Sequence, residues 1–245
     1  MIPLEPSQPP SLIETMRLEA GIGLPLLDGH LRRLRRSSEA LGYRWPGEAE
    51  LREKIRQATS TLDSTKNWRI RLLMSGQGRI SLETSPLSAV EAPLKVVLHG
   101  PRAGYTSPWL LHKTTHRPWY EEANQWLAAH PDVFDVLFWN EDGFMSEGSR
   151  SNLYVQSASG TWLTPPLEAG VLPGVQREFL LEAGSVQEAP IHRDDLKAAR
   201  ALRISNALRG WVDVLCLDIA IAAMQNPMRG LIGGSQTHAG GNHHN

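Results

Sequence analysis

The sequence of 245 residues contains a single cysteine, Cys216, which excludes an internal disulfide framework and any cysteine-rich metal site. No run of 18 apolar residues occurs, so the sequence predicts no membrane-spanning helix. The formal net charge of −1 lacks the basic excess that nucleic-acid-binding proteins usually carry. The start, MIPLEPSQPP, shows neither the basic region nor the apolar region of a secretion signal. We therefore expect a cytoplasmic protein without a metal site that binds neither nucleic acid nor membrane.

What the sequence does contain is typical of a globular protein, with 41% hydrophobic and 21% charged residues. The first hundred residues interleave strands, such as SLIETMRLE and NWRIRLLMS, with amphipathic helices. The stretch GPRAGYTSPW is rich in Gly, Pro and Ser and marks a candidate boundary. The sequence predicts a small N-terminal α/β domain over residues 1–104 and a second domain over residues 105–224. A Gly/Asn/His-rich tail over residues 225–245 is expected to be disordered.

In the second half, the stretch DVLFWNEDGFMSEG predicts a β-hairpin that turns at residues 140–143. The pair Asp142-Gly143 supplies the turn chemistry, because glycine adopts left-handed backbone angles at no steric cost. Further strands are predicted at SNLYVQ, TWLTP, ALRIS and VDVLCLD. A Gly-rich turn, GVLPGVQREF, opens a helix between them.

Lys113 lies in the stretch LLHKTTHRPWYEEA, just ahead of a predicted helix. Pro118 suits the first helical position, and Arg117, the residue before it, is biased towards extended backbone. Lys113 therefore lies in extended chain before a helix start, where a side chain can project into a cleft. Taken alone, a lysine in a loop is more often a solvated surface charge.

Glu147 lies at the end of the predicted hairpin, in the sequence FMSEGSRSNLYV. The neighbouring glycine and serines place it on a bend between two strand-like segments. Such a carboxylate is either an exposed charge at the rim or a buried group. A buried carboxylate needs a cationic or proton-donating partner, because an unpaired one is costly. A protonated heteroaromatic nitrogen is one such partner.

The Gly-rich helix start is the third candidate feature. Gly170 and Gly174 flank a turn, so the amides of Val175 and Gln176 are expected to point outward at the positive end of the helix dipole. This arrangement binds phosphate well. An arginine from elsewhere in the chain is expected to complete the charge balance.

Four segments occur in one order: HKTTHRPWYEEA, EGSRSNLYV, TPPLEAGVLPGVQRE and ISNALRGW. Together they resemble the fold-type IV enzymes that use pyridoxal 5′-phosphate, a family that includes branched-chain aminotransferase, D-amino-acid aminotransferase and 4-amino-4-deoxychorismate lyase. The resemblance extends from about residue 11 to about residue 214 and is specific because four motifs match in order. It implies an α+β fold with two domains, a small N-terminal α/β domain and a larger C-terminal pseudo-barrel domain. It also implies a homodimer.

The resemblance implies roles for individual residues. Lys113 matches the lysine that forms a Schiff base with the cofactor, and Glu147 matches the carboxylate that pairs with the pyridine nitrogen. Arg33, in DGHLRRL, matches an arginine that binds the cofactor phosphate. The remaining cofactor-binding positions implied by the family are Asn152, Val175, Gln176, Ser205 and Asn206.

Within the family, KTTHR..Y, SLIETMR and NALRGW are most similar to 4-amino-4-deoxychorismate lyase. In that enzyme, Lys113 would remove the proton at C4 of the substrate, and pyruvate would leave from C3 to give 4-aminobenzoate, a folate precursor. Glu14 and Thr15 would lie near the working face of the cofactor. Candidate residues for the substrate carboxylates are Arg69, Arg71 and Arg209. A synthase that makes aminodeoxychorismate is a candidate partner.

Two other functions share many of these residues. An aminotransferase acting on branched-chain or D-amino acids would use the same cofactor positions and would carry out half-reactions with amino acids. A non-catalytic descendant that keeps the fold for interaction would bind no cofactor covalently. Eleven residues precede Leu12, where the family usually has a further strand and a Gly-rich turn, so we expect a reduced small sheet.

Overall fold

The computed structural model describes residues 9–102 and 107–217. Within these residues the chain forms a small three-stranded sheet and a larger eight-stranded sheet. The predicted disordered tail, residues 225–245, lies outside the described residues, as does part of the predicted boundary near residue 104. None of the helices in the two described ranges is long and apolar enough to cross a membrane.

The small sheet is antiparallel, with its strands in the order β1-β2-β3. The three strands are β1 (Leu12–Leu18), β2 (Trp68–Met74) and β3 (Ile80–Pro86). Two helices lie between β1 and β2 in the chain, α1 (Leu27–Ala40) and α2 (Glu48–Thr59). Successive side chains of β2 alternate between faces, so Ile70 and Leu72 are buried against the helices. Leu31 and Leu34 of α1 contribute the helical side of this core.

The large sheet contains the remaining strands. They are β4 (Leu94–Pro101), β5 (Asp135–Trp139), β6 (Met145–Gly148), β7 (Asn152–Gln156), β8 (Trp162–Thr164), β9 (Gln187–Glu188), β10 (Ala201–Asn206) and β11 (Gly210–Leu217). Their order is β10-β11-β4-β5-β6-β7-β8-β9, and β10 also pairs with β7. Six of the strands therefore form a closed ring, from which β8 and β9 extend. This is the barrel-like second half that the family resemblance implied.

Two further helices flank the large sheet: α3 (Glu121–Ala129) and α4 (Val175–Glu182). A 3₁₀ turn over Pro118–Tyr120 leads into α3, so the predicted helical start at Pro118 is confirmed. Ala123 and Leu127 bury the inner face of α3, four residues apart as the helical period requires.

The predicted hairpin is also confirmed. β5 and β6 are antiparallel, and the amide of Gly143 donates a 3.0 Å hydrogen bond to the carbonyl of Asn140. Gly143 has φ +84° and lies so close to His192 that a Cβ there would be 2.4 Å from its Nε2. The turn therefore requires glycine for both its backbone angle and its space.

The change from one sheet to the other lies earlier in the chain than the predicted boundary near residue 104. β4 falls within residues 1–104, yet it pairs in parallel with β5 and β11 of the large sheet. The segment LKVVLHG indicates a strand from its apolar run, but its hydrogen-bonding partners are 40 and 120 residues further along. Local patterning carries no information about such distant pairing.

Candidate active site

A cavity of about 460 Å³ is lined by residues of both sheets. The small sheet contributes side chains from the face that does not pack against α1 and α2. It is lined by the predicted site residues Thr15, Arg33, Arg69, Arg71, Lys113, Glu147, Asn152, Val175, Ser205, Asn206 and Arg209. The structure thus brings together the predicted site residues other than Gln176 and Glu14, from segments that are almost 200 residues apart. Gln176 instead lines a neighbouring cavity of about 280 Å³.

Lys113 is anchored through its backbone to the small sheet. Its carbonyl accepts a 2.7 Å hydrogen bond from the amide of Ile13, and Thr114 forms a β-bridge with Leu12. Burial, together with the positive charges of Arg117 and Arg33, lowers the pKa of Lys113 to about 7. Near neutral pH about half of the amine is therefore unprotonated and can act as a nucleophile or a base.

Glu147 is the buried carboxylate of the cavity, 3% exposed at the end of β6. Its Oε1 accepts a 2.5 Å hydrogen bond from the hydroxyl of Tyr120. Its Oε2 accepts from the side-chain amide of Asn152 at 3.1 Å and from the backbone amide of Leu172 at 3.0 Å. Burial raises the pKa of Glu147, while the charge of Arg102 and the bond from Tyr120 oppose this rise. A cationic N–H placed in the cavity would find an oriented acceptor here.

Tyr120 and Arg102 form a chain of hydrogen bonds that ends at Glu147. Arg102 donates to the Tyr120 oxygen at 2.5 Å and, through Nη2, to Ser146 and to the carbonyl of Gly170. Burial raises the pKa of Tyr120 far above its usual value, so the phenol keeps its proton and donates to Glu147. Neither residue was predicted from the sequence. Tyr120 stands within the motif KTTHR..Y, but the spacing does not reveal that its hydroxyl points at Glu147.

The turn after Glu147 is held by a second buried carboxylate, Asp135. It accepts hydrogen bonds from the hydroxyls of Ser149 at 2.6 Å and Ser151 at 2.5 Å. A Cβ on Gly148 would lie 2.2 Å from Asp135 Oδ2, so the packing at this position admits only glycine. Burial raises the pKa of Asp135, and the two serines oppose that rise. Asp135 thereby fixes the chain directly after Glu147.

The start of α4 also lines the cavity. Val175 and Gln176 are its first two residues, so their amides have no carbonyl within the helix to which they can donate. The backbone approaches closely here, because a Cβ on Gly174 would lie 2.0 Å from Asn152 Oδ1. A Cβ on Gly29 would lie 2.6 Å from Val175 Cγ1, which shows that α1 packs tightly against this helix start.

Arg33 also lines the cavity, and its Nη1 donates a 3.3 Å hydrogen bond to the carbonyl of Pro173, just before α4. Glu14 was expected near the working face of a cofactor, but it does not line the cavity and binds Arg33 instead. Ser205 is buried and shares a 2.7 Å hydrogen bond with Tyr154. Arg33 and Ser205 thus add one guanidinium and one hydroxyl to the cavity that Val175 also lines.

The predicted substrate arginines lie on the rim. Arg71 is directly opposite Thr15 in the small sheet. Arg69 donates to the hydroxyl of Ser85 at 3.1 Å, and Arg209 donates to the carbonyl of Ser88 at 2.5 Å. Arg71, by contrast, makes no hydrogen bond or ion pair with any residue that the structure describes. Its charge is therefore available to an anionic group in the cavity.

The donor set fits pyridoxal phosphate. A lysine amine of lowered pKa could bind an aldehyde, a buried carboxylate could pair with a ring nitrogen, and a helix start with an arginine could hold a phosphate. Among the described residues no cluster of three or more His, Cys, Asp or Glu side chains could hold a metal ion.

Comparison with known proteins gives a consistent result. Residues 11–216 match the family model described as amino-transferase class IV. A curated protein of Schizosaccharomyces pombe, provisionally named as an aminodeoxychorismate lyase, is 34% identical over 190 residues. That alignment covers 75% of this chain and 80% of the yeast protein.

Solved structures agree on the fold. A Mesorhizobium loti protein, provisionally named as an amino-acid aminotransferase, is 31% identical with a TM-score of 0.77, and the match covers 85% of this chain and all of that one. A hypothetical aminotransferase of Mycobacterium tuberculosis, solved in a form with bound pyridoxal phosphate, has a TM-score of 0.69 at 21% identity. That match covers 87% of this chain and 85% of the other.

Proposed function

The chain belongs to the amino-transferase class IV family, and from this premise we propose that it is a lyase that uses pyridoxal phosphate to convert 4-amino-4-deoxychorismate to 4-aminobenzoate and pyruvate. The observation that carries the proposal is the position of Lys113. Lys113, whose amine has a pKa of about 7, lines the same cavity as Glu147 and the start of α4.

The arginine-rich rim supports this choice of substrate. The substrate carries two carboxylates, one on the ring and one on the enolpyruvyl group, and each favours a guanidinium partner. Arg69, Arg71 and Arg209 all line the cavity, and Arg71 makes no hydrogen bond or ion pair with any residue in the described part of the chain. The identity of 34% to a protein provisionally named as this lyase points to the same reaction.

In the proposed reaction the bound cofactor supplies a ring that withdraws electrons from the substrate carbon. The Nζ of Lys113 accepts the proton from C4, for which it must be unprotonated. The C3–O bond of the substrate breaks as the six-membered substrate ring becomes aromatic. The protonated Nζ can return its proton to the departing enolpyruvate. Glu147 would pair with the nitrogen of the cofactor ring, and the amides of Val175 and Gln176 with Arg33 would hold the cofactor phosphate.

Product analysis tests this proposal. Purified protein with pyridoxal phosphate is incubated with 4-amino-4-deoxychorismate, and 4-aminobenzoate and pyruvate are measured over time. We expect the two products in equal amounts from the wild type and none above background from Lys113→Ala. A wild type that binds the cofactor but yields neither product would reject the lyase assignment.

A second candidate function rests on the Mesorhizobium loti structure. At 31% identity, a protein provisionally named as an amino-acid aminotransferase shares the fold and the full length of its chain with this one. An aminotransferase acting on branched-chain or D-amino acids would turn each of these amino acids into its 2-oxo acid, with the cofactor retaining the amino group. Single-turnover assays with both amino-acid classes distinguish it from the lyase, which leaves the cofactor unchanged after each cycle.

The proposal also covers the assembly, the location and the partner of the enzyme. We expect a homodimer located in the cytoplasm, working in folate precursor synthesis on the product of an aminodeoxychorismate synthase, which is the candidate partner chain. Sedimentation velocity of the holoenzyme measures the assembly. Co-purification with such a synthase measures the partnership separately.

A further inference from the structure

Glu14 and Arg33 form a buried two-pronged ion pair next to the cavity. Nε of Arg33 donates to Oε1 of Glu14 at 2.9 Å, and Nη2 donates to Oε2 at 2.5 Å. The side chains are only 5% and 3% exposed. The third nitrogen, Nη1, is directed to the carbonyl of Pro173, two residues before the first amide of α4. The pair thus fixes the plane of the guanidinium and leaves one nitrogen towards the helix start.

The carboxylate of Glu14 is itself held in place. His30 donates from Nδ1 to Oε2 at 2.6 Å, and burial lowers the pKa of His30, so the ring acts as a neutral donor. Burial alone would raise the pKa of Glu14, but the charge of Arg33 and the bond from His30 hold it at about 2. Glu14 is therefore ionised throughout the neutral pH range.

The strand that carries Glu14 also positions the lysine. Ile13, the residue before Glu14 in β1, donates its amide to the carbonyl of Lys113 at 2.7 Å. Adjacent residues of one strand therefore hold the backbone of Lys113 and the side chain of Arg33. A single strand thus holds both the backbone of Lys113 and the guanidinium of Arg33.

We propose that Glu14 is a positioning residue that orients Arg33 towards the phosphate of pyridoxal phosphate. This inference rests on the proposed function, because it assumes that the cofactor occupies the cavity. A role through charge and a role through orientation predict opposite effects of removing the Glu14 carboxylate on phosphate binding. If only charge mattered, removing the carboxylate would make the site more positive and bind phosphate more tightly. If orientation matters, removing it weakens phosphate binding although the site gains positive charge.

The experiment compares pyridoxal phosphate with pyridoxal, which lacks the phosphate. For each aldehyde the concentration giving half-maximal visible absorption is measured with wild type and Glu14→Gln. We expect Glu14→Gln to raise this concentration about ten-fold for pyridoxal phosphate and less than about two-fold for pyridoxal. Glu19→Gln, which breaks the Arg17–Glu19 pair on the same chain segment, is the matched control and should change neither value.

Two further variants make the result decisive. Glu14→Asp keeps the charge but withdraws the carboxylate by one methylene, so it too should lose phosphate preference. It also serves if Glu14→Gln fails to fold, as judged by circular dichroism. In an Arg33→Ala background, Glu14→Gln should change the ratio of the two concentrations no further.

The titrations distinguish failure of this inference from failure of the proposed function. An unchanged or increased preference for the phosphorylated aldehyde in Glu14→Gln or Glu14→Asp would overturn the inference, and so would equal weakening for both aldehydes. The proposed function is tested independently in the same titration. If the wild type gives no visible band with pyridoxal phosphate, the cofactor assignment fails before Glu14 is considered.

Discussion

The guanidinium of Arg117 and the amine of Lys113 line the same cavity, and the charge of Arg117 lowers the pKa of Lys113. Arg117 is held in this position by two contacts. It donates to the carbonyl of Ser149 at 2.9 Å and lies 4.5 Å from the centre of the Tyr120 ring. A fixed cation thus supplements burial in keeping the amine unprotonated near pH 7.

This relationship predicts the pH dependence of the reaction with pyridoxal phosphate. The amine reacts only without its proton, so adduct formation should be poor below the pKa of about 7 and reach a plateau above it. Arg117→Gln removes a repulsive charge and should raise the midpoint by about half a unit to one unit. The midpoint is measured from visible absorption after mixing. Arg150→Gln, which removes another cation from the same cavity, should leave it unchanged.

A second prediction concerns stability. Tyr120 links two buried charged groups, so Tyr120→Phe removes one hydrogen bond from Glu147 and one from Arg102. We expect the free energy of unfolding to fall by about 2–3 kcal/mol, as for hydrogen bonds to charged groups. Tyr154→Phe is the matched control, because it breaks a buried bond between neutral hydroxyls and should cost about 1 kcal/mol. Urea unfolding of the cofactor-free variants measures both. Equal costs would contradict the linking role of Tyr120.

A third prediction concerns the helix start. Gly174→Ala places a Cβ 2.0 Å from Asn152 Oδ1, and Asn152 also donates to Glu147. Both the start of α4 and the hydrogen bond to Glu147 should shift, and affinity for pyridoxal phosphate should fall on the order of ten-fold. Absorption titration measures the loss. In Gly76→Ala the new Cβ has no contact closer than 3.7 Å, so affinity should not change. Wild-type affinity in Gly174→Ala would show that the close approach is unimportant for binding.

A fourth prediction concerns Arg71, a cavity-lining cation that makes no hydrogen bond or ion pair with a described residue. Arg71→Gln should raise the KM for 4-amino-4-deoxychorismate by about 10-fold to 100-fold, with a smaller effect on kcat, because a charge-assisted contact to a substrate carboxylate is lost. Steady-state assays of product formation measure both constants. Arg79→Gln removes a charge from an exposed position outside the cavity and should change neither. A KM unaffected by Arg71→Gln would remove this residue from substrate recognition.

The sequence predicts the parts of the site that depend on local pattern. The extended chain at Lys113, the hairpin that carries Glu147 and the helix start at Val175 each follow from nearby prolines, glycines and apolar spacing. Their meeting in one cavity could be expected only from the family resemblance. The structure shows that meeting as geometry, while the roles of the individual residues remain predictions that the experiments above address.

The parts that the sequence did not predict depend on contacts between distant segments. Glu14 was expected to face the cofactor, but alternation along β1 turns its side chain towards α1, where Arg33 and His30 receive it. Arg102 and Tyr120 are charged and polar residues, and their burial beside Glu147 becomes visible only in the folded chain. The pairing of β4 with strands of the large sheet was not predicted for the same reason, because β5 and β11 come much later in the chain.

The closed ring of the large sheet has a consequence for how the chain can fold during its synthesis. β4, near residue 94, is flanked on one side by β5 and on the other by β11, which ends at Leu217. The ring therefore cannot close until almost the whole described chain has left the ribosome. The three strands of the small sheet are complete by Pro86 and can pair earlier. Until β11 arrives, one edge of β4 has no partner strand, and unpaired strand edges favour association between chains. Truncation before β11 should thus produce aggregation rather than a smaller soluble enzyme.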